Sequence, residues 1–114
     1  MKQLRMKPEY IDWTKDGLKF ATTRTKLKPC GEYELISGSY YKPKKSGLII
    51  EIITIWGWTL NNLDAGKRME IVKAENFKSW SEFMEVIQKI NKDVKIDGET
   101  LFYTHFYKKV GVVV

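Results

Sequence analysis

The run Leu48 to Trp58 constrains the fold of this chain more than any other segment. Leu48, Ile50, Ile52, Trp56 and Trp58 occupy alternate positions with only Thr54 polar among them, and Ile49, Glu51, Ile53, Ile55 and Gly57 stand between them. An edge strand carries one apolar and one polar face, whereas here one face is core and the other is mostly covered as well. The pattern predicts the central strand of a small closed or nearly closed sheet. Glu51 and Thr54 interrupt the run, which is also far shorter than the roughly 20 apolar residues of a membrane-spanning helix. No membrane partner is expected.

The flanking segments supply the rest of an α+β domain. Residues 2–7 alternate weakly and predict an opening strand. Pro8-Glu9 starts a short helix that carries Tyr10, Ile11 and Trp13 and ends at Gly17, with Pro at a first turn that needs no N–H from it. Thr22, Thr23 and Thr25 favour extended backbone from Lys19 to Lys26, Lys28-Pro29-Cys30-Gly31 turns the chain, and Glu32 to Ser37 forms the next strand. Ser39 to Gly47 reads as a polar loop with Tyr40 and Tyr41 at its base. Beyond the central strand a helix is expected over Asn62 to Asn76. A firmer one starts at Ser79, where Ser79-Trp80-Ser81-Glu82 fits a capping box and Trp80, Phe83, Met84, Ile87 and Ile90 share a face. That stripe is core packing. Asp97-Gly98 turns the chain into a last strand, Leu101 to Lys108, and residues 111–114 carry no clear signal.

A length of 114 residues suits one core, so residues 1–114 are expected to form one domain with no linker. Monomer is the default. The N-terminus is basic but lacks the apolar stretch of a signal peptide, and with a single cysteine, Cys30, no internal disulfide can form. A cytoplasmic, reducing setting is the expectation. The net charge is +6, and all of it lies in residues 1–47, which hold 11 Lys or Arg against 5 Asp or Glu. Such a surplus either attracts polyanions such as RNA or simply keeps the surface solvated.

Most catalytic and cofactor signatures are absent, and neither a metal nor a cofactor is expected. Cys30, between Pro29 and Gly31, reads as a small structural thiol. His105, within the alternating final strand, reads as a structural histidine. What remains is Gly17-Leu18-Lys19-Phe20-Ala21-Thr22-Thr23-Arg24, a glycine followed by mixed cations and hydroxyls.

This stretch resembles the glycine-x-lysine-x-x-threonine-x-arginine signature of the ASCH domain, a small relative of the PUA-type RNA-binding barrels. Pro29-Cys30-Gly31-Glu32-Tyr33 is similar to the family's glycine-acidic turn, Ala74 to Phe83 to its glutamate before a capped helix, and Phe102 to Phe106 to its closing strand. The resemblance spans nearly the whole chain in order. It implies a small PUA-like β-barrel of about five to six mainly antiparallel strands with two to three helices, and a cleft into which the family's lysine, threonine and glutamate point. Residue by residue these are Lys19, Thr22 and Glu75, with Arg24 at the motif's end. Some members resembling this chain remove an acetyl group from acetylated cytidine; others are assigned only RNA binding. The sequence departs from the pattern in the aromatic Phe20 after the lysine and in a second threonine, Thr23, before the arginine. The spacing favours Thr22.

Strand alternation would point Lys19 and Thr22 to opposite faces, so a bend between Gly17 and Ala21 is required. With it, a desolvated Lys19 could activate the Thr22 hydroxyl, Glu75 could relay protons and Arg24 could meet an oxyanion or phosphate. Without catalysis, Lys19 and Glu75 are an ion pair across a binding cleft. Lys26 adds charge beside Arg24, and Tyr40, Tyr41 and Lys42 offer rings for bases and an ammonium for phosphate. Three functions follow: binding of RNA or a modified nucleoside, amide hydrolysis on acetylcytidine or a related nucleoside, or docking of an acidic protein partner.

Overall fold

The computed structural model describes residues 1–112. Its elements are β1 (Gln3–Arg5), α1 (Pro8–Lys15), β2 (Ala21–Arg24), β3 (Gly31–Gly38), β4 (Pro43–Trp58), α2 (Ala65–Ala74), α3 (Trp80–Ile90) and β5 (Phe102–Val112), with one 3-10 turn at Leu60–Asn62. The five strands form one sheet in the order β1-β3-β4-β5-β2, with β1 parallel to β3 and every other pair antiparallel. It curls into a half-barrel compatible with a small PUA-like barrel. Among the described residues no helix is long and apolar enough to cross a membrane.

β4 is central, and its apolarity on both faces has a specific cause. Leu48, Ile50 and Ile52 pack with Leu4, Tyr10, Tyr33 and Tyr107 in one core, while Trp58 packs with Ile71, Phe83 and Phe102 in a second. Against β5 the register shifts between Ile52 and Thr54, and a one-residue bulge sends the following side chains to the opposite face. Even positions before and after Ile53 therefore serve different cores. Each large side chain buried this way contributes about 1.5–3 kcal/mol, and Phe77 of the α2–α3 connection packs against both clusters.

Local structure departs from the expected elements in four places. The polar loop shrinks to Ser39–Lys42, because Pro43, Lys44 and Lys45 already pair with Gly38, Ser37 and Ile36; solvated lysines are compatible with a ladder satisfied by backbone groups. The helix expected from Asn62 begins at Ala65, since Asp64 is the N-cap and accepts from the Lys67 amide at 2.8 Å. β2 begins at Ala21, so Lys19 lies before it. β5 runs on through Gly111 and Val112 opposite Ile49 and Leu48, and Val113 and Val114 lie outside the described residues. At α3, Ser79 caps as expected by accepting from the Glu82 amide at 3.1 Å, but Glu82 reaches back to the Lys78 amide rather than to that of Ser79.

Candidate functional site

The bend required by the sequence lies between α1 and β2. Gly17 has φ 79°, a left-handed conformation that costs glycine nothing. The amides of Leu18 and Lys19 then both donate to the Trp13 carbonyl, at 2.8 and 3.1 Å. Phe20 donates to the Ala74 carbonyl at the end of α2 (2.8 Å) and accepts from the Tyr107 amide (2.9 Å). This docking turns Lys19 inward beside the C-terminus of α2, where a cation is favoured by the helix dipole.

Glu75 is placed with equal definition. α2 ends in a Schellman motif: Asn76 takes φ 63° and donates to Lys73 O at 3.1 Å, and Phe77 donates to Val72 O at 3.0 Å. Glu75 is the C-cap residue, held between the helix and the anchored Phe77 ring.

These segments bring Lys19 and Glu75 together across 56 positions of sequence, Nζ to Oε1 at 3.1 Å. Both are almost fully buried, with 2% and 4% exposure. The second carboxylate oxygen accepts from Thr23 Oγ1. Thr23 faces Thr104 of β5, their hydroxyls 2.7 Å apart, and Trp58 Nε1 donates to Thr104 Oγ1 at 2.8 Å. The carboxylate only accepts, so it takes the single Thr23 hydroxyl proton, and the indole nitrogen only donates; the series therefore runs Trp58 to Thr104, Thr104 to Thr23, Thr23 to Glu75. Glu75 is thereby held as an acceptor. Lys19 Nζ also lies 5.1 Å from the Tyr10 ring centroid and 5.9 Å from that of Phe77. Burial pulls the Lys19 ammonium below the ordinary lysine pKa, against the opposing charge and hydrogen bond of Glu75.

The pair lines a cleft of about 450 Å³, inside the 300–1,000 Å³ range of small-molecule sites. Its cations are Arg5, Lys7, Lys19, Arg24, Lys26 and Lys28, against the single carboxylate of Glu75, while Met6, Tyr10, Phe77, Val86, Ile87 and Ile90 give an apolar wall. Arg24 spans the opening of the half-barrel, its Nη2 donating from β2 to the Arg5 carbonyl of β1. Its Nε is buried and has no acceptor among the described residues. Burial lowers the Arg24 pKa, but a guanidinium stays charged.

Of the residues singled out in the sequence, Lys19, Thr22, Arg24, Lys26 and Glu75 all line this cleft. The Thr22 hydroxyl makes no hydrogen bond among the described residues, and the threonine that meets Glu75 is Thr23. Tyr40, Tyr41 and Lys42 sit apart, at the tip of the β3–β4 hairpin. His105 pairs with Thr22. Its Nε2 accepts from the Lys28 amide (2.9 Å), which leaves the ring proton on Nδ1, 3.2 Å from the Thr22 carbonyl. The ring thus fastens the segment after β2, and burial holds its pKa below the usual imidazole value despite that hydrogen bond. Cys30 is exposed. Thr23, Thr104, Trp58 and the rings of Tyr10 and Phe77 are additions that only strand register and helix docking reveal.

Three solved structures share this architecture. An ASCH domain from Lactobacillus crispatus superposes with a TM-score of 0.62 at 16% identity over 86% of this chain and 68% of its own. The chain has an ASCH-like fold. Protein EF3133 from Enterococcus faecalis, described with the family model DUF984, matches at TM-score 0.63 and 14% identity, covering 89% of this chain and 66% of that one. Hypothetical protein PH0355 matches at TM-score 0.64 and 16% identity, over 96% of this chain and the whole of that one. This chain spans about two thirds of the length of two of these three structures. No family model matches the sequence, and no curated protein matches it significantly.

Proposed function

We propose that the cleft binds RNA or a modified nucleoside, with Lys19 and Glu75 at its floor and Arg24 and Lys26 on its cationic side. The observation that carries this reading is the buried Arg24 Nε without an acceptor. An unpaired buried donor costs about 1–3 kcal/mol, and a phosphate or base carbonyl in the cleft would remove that cost with a charge-assisted bond. The apolar wall with Tyr10 and Phe77 suits the flat face of a base, and the surplus of cations suits its phosphate. Titration with single-stranded and structured RNA and with cytidine monophosphate at two salt concentrations tests it. Binding that weakens with salt is expected; no binding of any of them at low salt removes the proposal.

A second reading, amide hydrolysis on acetylcytidine or a related nucleoside, is favoured by the unengaged Thr22 hydroxyl together with the lowered pKa of Lys19. In that chemistry the Thr22 oxygen adds to the acetyl carbonyl and its proton passes to a neutral Lys19. Glu75 relays a proton to the departing amine, and water then releases acetate from the acylated threonine. The committed hydrogen bond of Thr23 to Glu75 leaves it less suited to that role. Acetate release from acetylcytidine, lost in Lys19→Ala, supports hydrolysis; wild type and Lys19→Ala equally inert on several acylated nucleosides discards it.

A further inference from the structure

We infer that the tip of the β3–β4 hairpin is a second contact for single-stranded RNA, which makes the ligand a strand of several nucleotides instead of a free nucleoside. The inference rests on the reading of the cleft as a nucleotide site. The tip is an ordered turn: Gly38 takes φ 84°, and the Lys42 amide donates to both Ser39 O (3.2 Å) and Ser39 Oγ (3.0 Å). On it stand Tyr40 and Tyr41, 83% and 90% exposed, with their rings edge to face at a centroid distance of 5.5 Å. Two rings left almost wholly in water by the fold contribute little to its core, and an edge-to-face pair leaves a ring face open for a base.

The charge around them is equally one-sided. Lys42, Lys44 and Lys45 are exposed, none belongs to an ion pair among the described residues, and no acidic residue occurs between Glu34 and Glu51. Lysines alone would grip any polyanion, whereas tyrosine faces are useful only to bases that are not already stacked and paired. Arg5 joins the two places. It lines the cleft, and its Nη1 donates to the Gly38 carbonyl at 2.5 Å. Tyr40 lies two residues further on, about 7 Å at the rise of an extended chain. A strand leaving the cleft past Arg5 meets the rings within a few nucleotides.

The test compares wild type with the Tyr40→Ala/Tyr41→Ala variant, using an oligouridine octamer and cytidine monophosphate at low salt. Because both rings are exposed, the melting temperature of the variant should match wild type. The octamer is expected to bind wild type more tightly than the mononucleotide and to lose about tenfold or more in the variant, with mononucleotide affinity unchanged. An octamer that binds no better than the mononucleotide, or is indifferent to the variant, overturns the hairpin contact and leaves the cleft intact. A duplex that binds wild type as well as the octamer does overturns it too, in favour of a general polyanion surface. Failure of both ligands to bind refutes the cleft reading itself, and this inference with it.

Discussion

Replacing Glu75 with glutamine isolates the charge of the buried pair. The amide carbonyl can still accept from Thr23, so shape and one hydrogen bond survive while Lys19 loses its counter-ion at 3.1 Å. At that distance and an effective dielectric constant near 20, the lost attraction is about 5 kcal/mol. Removing one partner of a buried pair costs about 3–5 kcal/mol in practice. Against a domain stability of about 5–15 kcal/mol, Glu75→Gln should shift the urea midpoint strongly and lower Tm by roughly 15 °C or more. The loss should depend on pH in one direction. Burial already lowers the Lys19 pKa, and without Glu75 it falls further; a depressed group contributes stability fully present above its unfolded value, near 10.5, and lost as pH falls through the folded value. The gap between wild type and variant should therefore narrow as pH rises from 7 towards 10. Lys19→Met/Glu75→Leu, which removes both charges but leaves the Thr23 hydroxyl without its acceptor, should cost about 1–3 kcal/mol, less than Glu75→Gln. A Glu75→Gln loss below about 1 kcal/mol with no pH dependence, or a double variant worse than the single one, refutes a buried charge pair held for something other than stability.

Other outcomes follow from the same geometry. His105 is held neutral by burial, so wild type should lose stability on acidification below about pH 6.5, and His105→Gln should lose less between pH 7 and 5 in parallel urea titrations. Asn76 occupies a left-handed position; Asn76→Gly should be neutral or stabilising, while Asn76→Val should cost about 1–2 kcal/mol, read as a Tm shift. A Cβ at Gly38 would stand 2.6 Å from the Lys42 carbonyl oxygen, so Gly38→Ala should destabilise the hairpin by more than about 1 kcal/mol and weaken octamer binding. Arg24→Gln should reduce the salt slope of single-stranded RNA binding by about 0.7, and an unchanged slope would mean that Arg24 meets no phosphate.

The centrality of β4 was legible because a strand apolar on both faces has few places to go, and α3 because its cap and stripe agree. The bulge at Ile53 was not, since alternation across Leu48–Trp58 reads as one continuous face unless the partner strand is known. In the site, Lys19, Arg24 and Glu75 were reachable only through the resemblance to the ASCH signature. Thr23 was not singled out, because its role arises from register with Thr104 and from the bend that frees Lys19 of strand alternation. Arg5 and Lys7 carried no signal beyond charge; their place in the cleft comes from β1 pairing in parallel with β3. The loop was visible through Tyr40, Tyr41 and Lys42, but its length was overstated and the two rings were expected at its base, not its tip, since lysines in β4 look like loop residues until the ladder to β3 is seen.

Amide NMR shifts recorded while cytidine monophosphate is added at low salt bear most directly on the cleft. Perturbations should gather at Lys19, Thr22, Arg24, Phe77 and Ile90, saturate, and vanish in Lys19→Met/Glu75→Leu although that variant remains folded. Shifts spread evenly over the basic surface, or centred away from the recess between β1 and β2, would contradict it.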